Sequence, residues 1–249
     1  MISLTADRFA ILNSLNTSED FGYIKNIVKL YLDSYGVTYD FVEYYIQTDT
    51  ETERSTAVLL RYNNFLYCSV GERADFAELS AFILGFSDCE CYCNKPIFEN
   101  TTDAPDGEVC YVMSKTGEKR TQDPSVISCE NARTITDIVT SELTYEKQTD
   151  FFLNTSHMLR HGTIKVFSYI VDNVTVCVVA FSCNNENSSV IPFVYTEKYF
   201  RGNGYCRRVL DQVCSDEDIT YQLLCEEHNI KFYEKCGFSQ IDFCLRYRL

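Results

Sequence analysis

Arg201-Gly202-Asn203-Gly204-Tyr205-Cys206 follows a β-branched run and leads into Cys206, Val209, Leu210 and Val213, apolar at the i, i+3, i+4, i+7 spacing of one helix face. A helix start leaves its first amides unpaired, and glycine lets the chain turn tightly and approach a ligand closely. Gly202 to Arg207 therefore have the layout of a backbone cradle for a diphosphate. Short glycine-rich matches also mark ordinary turns, and this one has neither the Lys-Ser/Thr of a triphosphate loop nor the three-glycine spacing of dinucleotide binders. Charge adds to the signal. Lys198, Arg201, Arg207 and Arg208 stand together without an acid, in a chain whose formal net charge is −14. Basic runs are often only solvated faces. Arg207 and Arg208, however, fall in the first turn of the predicted helix, where cations oppose the macrodipole by about 0.3–1 kcal/mol each, a cost that a bound anion offsets.

Other residues of reactive type give weaker patterns. His157 and His161 share one face of a predicted helix but lack a third metal ligand at diagnostic spacing, so no metal is expected. Cys89, Cys91 and Cys93 alternate, which puts them on one face of a strand with gaps too short for zinc, and they read as small buried hydrophobes. None of the thirteen cysteines has the surroundings of a nucleophile. Glu197, Glu226 and His228 lie close in sequence to the glycine loop or the segment after it, without a pattern that makes any of them a general base.

The elements that must position the loop read as follows. Asp20 to Leu32 has helical apolar spacing behind the capping candidate Ser18. Ala57–Arg61 and Phe65–Val70 flank Asn63-Asn64 as a hairpin, Ala74–Gly85 is a helix, and Asp88–Cys93 is a strand. Loop punctuation fills 94–123, although Val109–Met113 suits a strand, and a domain boundary is expected near Ser125. Two helices follow, about Arg133–Thr144 and Thr149–His161, the second stopped by Gly162. Ile164–Val171 and Val174–Phe181 form a hairpin around Asp172-Asn173, and Val190–Thr196 is the next strand. After the loop helix come strand Ile219–Cys225, helix Asn229–Cys236 stopped by Gly237, and strand Ser239–Arg248. Strand, loop, helix, strand implies a parallel pair.

The arginine-glycine loop, strand Ile219–Cys225 and Phe232-Tyr233-Glu234-Lys235-Cys236-Gly237-Phe238, in that order and spacing, resemble the GNAT superfamily of acyl-CoA N-acyltransferases. Its signature is Arg or Gln, two residues, Gly, one residue, then Gly or Ala. Arg201 and Gly204 match, and Cys206 stands at the last position. The resemblance covers about residues 125–249 and is strongest after Val190. It implies that Val194, Tyr195 and Thr196 lie on a strand splayed from its neighbour, with backbone groups left for pantetheine and the thioester oxygen. It also implies that Arg201, Gly202, Asn203, Gly204, Tyr205, Cys206 and Arg207 hold the pyrophosphate and that Tyr233 protonates the departing CoA thiolate.

The expected fold class is therefore mixed α/β, with a GNAT-like acyltransferase domain over 125–249. Residues 1–124 form a separate α/β domain whose hairpin, strand and helix follow the same order, as in a degenerate copy. The expected activity is an N-acetyltransferase that uses acetyl-CoA to acylate an amine on a small molecule or protein. The alternative is a non-catalytic CoA-binding or interaction protein on the same scaffold. The acidic balance argues against nucleic acid or an anionic membrane as partner. A composition of 45% hydrophobic and 23% charged residues excludes a disordered chain. Met1 to Ile11 lacks the profile of a secretory signal, so a cytoplasmic protein with reduced thiols is expected.

Overall fold

The computed structural model describes residues 1–17, 22–99, 101, 104–140, 144–183 and 187–249. In chain order the elements are β1 (Ile2–Thr5), α1 (Arg8–Thr17), α2 (Tyr23–Tyr35), β2 (Val42–Thr48), β3 (Ser55–Tyr62), β4 (Phe65–Val70), α3 (Phe76–Ile83), β5 (Glu90–Cys93) and β6 (Glu108–Thr116). Then follow β7 (Val126–Ser128), α4 (Ala132–Val139), α5 (Tyr145–Arg160), β8 (Ile164–Val171), β9 (Val174–Ser182), β10 (Ser188–Val190), β11 (Val194–Thr196), α6 (Tyr205–Val213), β12 (Thr220–Cys225), α7 (Ile230–Lys235) and β13 (Ser239–Arg248). The chain forms two compact units. The first is Met1–Val112 with Cys225–His228 and Ile241–Leu249; the second is Met113–Leu224 with Asn229–Gln240.

In the first unit the strands run β1-β2-β3-β4-β5-β13. The β3–β4 hairpin turns at Asn63, which takes the left-handed conformation (φ 48°) that asparagine tolerates better than most residues. Strands β4 and β5 are parallel, so a crossover must join them, and α3 supplies it. The Asp75 side chain caps this helix by accepting from the Glu78 N–H at 3.0 Å. Its inward residues Leu79 and Ile83, one helical turn apart, are buried with Leu59, Leu66, Cys68, Cys91, Cys93 and Tyr247 in one apolar cluster. Cys89 lies in the same cluster, so the alternating cysteines serve here as packing. Antiparallel β13 adds the last strand, Leu245 opposite Cys93 and Arg248 opposite Glu90.

In the second unit an antiparallel sheet runs β11-β9-β8-β7, and β10 pairs in parallel with β12. Asp172 and Asn173 both take positive φ (48° and 64°), the backbone that a two-residue β8–β9 turn needs. Helix α4 starts at Asn131, whose side chain accepts from the Arg133 and Thr134 N–H groups; α5 stops at Gly162, with φ 67°.

Several expectations change. Val190–Thr196 is two strands, because the chain changes partner around Pro192, from β12 to β9. Helix α4 ends at Val139, short of Thr144; residues 141–143 lie outside the described ones, as do Ser18, Asp20 and Phe21. Strands β1, β2 and β7 and helix α1 have no counterpart in the sequence reading. Among the described residues no helix is long and apolar enough to cross a membrane.

Leu79→Ala removes a fully buried side chain from the first unit's core and should cost about 2–5 kcal/mol of stability, read as a lower urea midpoint. A shift near zero would mean that α3 is not seated on this cluster.

Candidate functional site

All eleven residues singled out for binding or chemistry belong to the second unit. The site begins where the chain changes strand partner. The Ile191 N–H still donates to Gln222 O of β12 at 2.8 Å, whereas Phe193 O already accepts from Ala180 N–H of β9 at 3.1 Å. Beyond the switch, β11 pairs with β9 in the register Val194 to Val179, Tyr195 to Val178 and Thr196 to Cys177, and Glu197 N–H donates to Val176 O at 2.9 Å. Bonding positions alternate in an antiparallel ladder. Phe193, Tyr195 and Glu197 therefore spend their backbone groups on β9, and Val194 and Thr196 turn theirs toward the other edge. That edge is the end of the sheet. There the Arg201 Nε donates to Thr196 O at 3.0 Å and its guanidinium sits 5.6 Å from the centre of the Tyr195 ring.

The loop leading into α6 is held by its own side chains. Lys198–Phe200 form one 3-10 turn capped by Glu197, whose Oε2 accepts from the Tyr199 N–H at 2.8 Å. Asn203 Nδ2 donates to Phe200 O at 3.1 Å and to Arg201 O at 3.4 Å. Gly202 and Gly204 have φ of 82° and 78°, and a Cβ at either would meet open space. Glycine is thus required at both for backbone conformation alone. Gly204 is the N-cap of α6 and has no side chain to offer, so no side-chain cap covers the first amides of the helix.

The cations of the first turn have protein partners that keep them in place. Arg207 Nε is 4.0 Å from Asp211, while Arg208 Nη1 is 3.3 Å from Asp123 and donates to Tyr169 Oη at 3.0 Å. Tyr205 stacks on Tyr169, ring centres 4.6 Å apart. Cys206 lies near Cys177 of β9, whose sulfur accepts from the Thr196 hydroxyl at 3.3 Å. Interaction with Cys177, with burial adding to it, pushes the Cys206 thiol well up, and the same interaction holds Cys177 below the ordinary thiol value.

Tyr233 lies on α7, 8% exposed, with Phe232 and Phe238 packed edge-on against its ring at 5.1 and 5.9 Å. Gly237 (φ 87°) ends the helix, and Tyr233 O accepts from the N–H groups of both Cys236 and Phe238. Lys115 Nζ donates to Cys236 O at 2.9 Å and lies 3.5 Å from Asp211 Oδ1, which links the end of the tyrosine helix to α6.

The remaining candidates stay out of this arrangement. Glu197 is engaged as a cap. His157 and His161 stack on each other at 4.2 Å. In the first unit, Glu226 is 3.3 Å from Arg246 and 3.5 Å from His228. Among the described residues no group of three or more His, Cys, Asp or Glu could hold a metal ion. Sequence reasoning missed Cys177, Tyr169 and Lys115. Lys115 had a usable signal, a lysine two residues beyond the buried Met113 on the inward face of a strand.

No protein-family model and no curated protein sequence matches the chain. Solved structures do. A GNAT-family acetyltransferase from Colwellia psychrerythraea superimposes on 100% of this chain and 99% of its own, with a TM-score of 0.61 and 8% identity. The fold is that of the GNAT acyltransferases. A tandem GNAT protein from the clavulanic acid biosynthesis pathway matches 99% of this chain and 97% of its own at TM-score 0.60 and 9% identity. Saccharomyces cerevisiae N-myristoyltransferase, solved with myristoyl-CoA, matches 99% and 79% at TM-score 0.58 and 10% identity. At such identities the GNAT likeness concerns the fold, and the tandem match extends it to the whole chain.

Burial raises the Cys236 thiol to about 11 and the Cys214 thiol to about 12, from an ordinary value of 9.0. Above pH 9 the unfolded chain releases protons that the folded chain keeps, so stability should fall as pH rises from 9 toward 11. The urea midpoint of the wild type should drop between pH 8 and pH 10, and Cys214→Ala with Cys236→Ala should flatten that slope. An unchanged slope would place the alkaline sensitivity elsewhere.

Proposed function

We propose that the protein is an N-acetyltransferase of the cytoplasm that passes the acetyl group of acetyl-CoA to an amine by direct attack. The observation that carries this reading is the coincidence, in one unit of a GNAT fold, of an outward-facing strand edge at Val194 and Thr196 with a glycine-built helix start whose N-cap offers no side chain. Acetyl-CoA would lay its diphosphate on Gly202 to Arg207 and its pantetheine along the outer edge of β11. The N–H groups of Val194 and Thr196 are the candidate donors to the thioester oxygen, and one preorganised donor of this kind is worth roughly 3–4 kcal/mol of barrier. Tyr195, with its backbone turned to β9, supports Arg201 through its ring.

The amine attacks the thioester carbon, the tetrahedral intermediate collapses, and the C–S bond breaks. Tyr233 gives its proton to the leaving thiolate, and a phenol of pKa about 10 matches a thiolate of about 8.5 closely enough for efficient transfer. The acceptor is a small-molecule or protein amine, and the acidic surface favours a cationic one. An acceptor amine of low pKa needs little help in losing its proton, which is consistent with the absence of an assigned base.

Acetyl-CoA at 100 times its dissociation constant should stabilise the wild type by about 2.7 kcal/mol, seen as a raised melting temperature. Gly204→Ala should weaken this binding about tenfold through left-handed strain of about 1–2 kcal/mol. With a panel of amines, Tyr233→Phe should lower CoA release by about 100-fold or more. Binding without release in the wild type would convert the reading to a CoA-binding scaffold, and no stabilisation would end it.

A further inference from the structure

We infer that Lys115 is a positioning residue that fixes Tyr233 against the diphosphate cradle, an inference that rests on the functional reading above. Lys115 is on β6, and the residue is only 7% exposed. Its Nζ donates to Cys236 O at 2.9 Å, lies 3.5 Å from Asp211 Oδ1 and sits 5.8 Å from the centre of the Phe238 ring. These partners come from the two elements that the reaction needs in register. Cys236 closes α7 three residues after Tyr233, and Asp211 lies on α6 one turn after Arg207. Asp211 also meets Arg207 at 4.0 Å and Arg120 at 3.4 Å. One chain of polar contacts thus runs from the cradle arginine through Asp211 and Lys115 to the carbonyl that ends the tyrosine helix.

The choice of residue supports a positioning role. A buried ammonium carries a desolvation penalty, and an apolar side chain of similar length would fill the space without it, so packing alone does not call for lysine. A lysine brings three donors on a flexible stem, which lets one side chain hold a carbonyl and a carboxylate on different helices. Helix α7 has six residues, too few to hold its own orientation without outside contacts. Room for the stem is built in. A Cβ on Gly237 would come within 3.4 Å of Lys115 Cε, so this glycine both ends the helix and clears the path of the lysine.

The test combines Lys115→Met with Tyr233→Phe in a double-mutant cycle, using CoA release for kcat and calorimetry with acetyl-CoA for Kd. Lys115→Met should lower kcat at least about fivefold and leave Kd within about twofold, because the cradle amides are untouched. In the Tyr233→Phe background the same change should have no further effect on kcat. Losses that multiply, or a Kd that worsens in step with kcat, would overturn the inference. Should the methionine variant not fold, Asp211→Asn releases the other end of the lysine and enters the same cycle; additive losses there overturn it equally. The functional reading fails separately, through a wild type that binds no acetyl-CoA or a Tyr233→Phe enzyme that turns over normally, and the Lys115 inference falls with it.

Discussion

The change of strand partner around Pro192 is the constraint on which the candidate site depends. Up to Ile191 the chain is bonded to β12, and from Phe193 onward it is bonded to β9. Pro192 stands between these two bonded segments, and the chain changes partner around it. Because of that switch, β11 ends its sheet with the backbone groups of Val194 and Thr196 directed outward. A continuous strand would have spent those groups on a neighbour.

The glycine loop works by a related economy. Its polar side chains, Asn203, Glu197 and Arg201, are bonded to the loop's own backbone or to Thr196, which fixes its shape before any ligand arrives. The amides at the start of α6 receive no such attention. Arg207 and Arg208 are held by Asp211, Asp123 and Tyr169, which fixes both guanidinium groups beside the helix start. Preorganisation of this kind removes ordering costs from binding.

Local chemistry made much of this legible in the sequence. Asn63-Asn64 and Asp172-Asn173 announced hairpins because few residues accept a left-handed backbone, and Gly162 and Gly237 announced helix ends for the same reason. The turn into α6 was legible through Gly202 and Gly204, both of which take positive φ. The switch at Pro192 was hidden because a run of β-branched and aromatic residues reads as one strand whichever neighbour each half bonds to. Strands β1 and β2 and the tie made by Lys115 were hidden because their partners lie far away in sequence: Ile2 pairs with Gln47, and Lys115 reaches Cys236.

The pairing of β13 with β5 has a consequence for how the protein is made. Leu245 to Arg248 pair with Glu90 to Cys93, and Tyr247 fills the core that Leu79 and Ile83 also fill. While the ribosome is still translating the acyltransferase-like half, the amino-terminal half waits with an open sheet edge and an unfilled core. Its core therefore stays incomplete until the segment around Leu245 has been made, and a nascent chain stalled before Leu245 exposes a surface of the kind that chaperones bind.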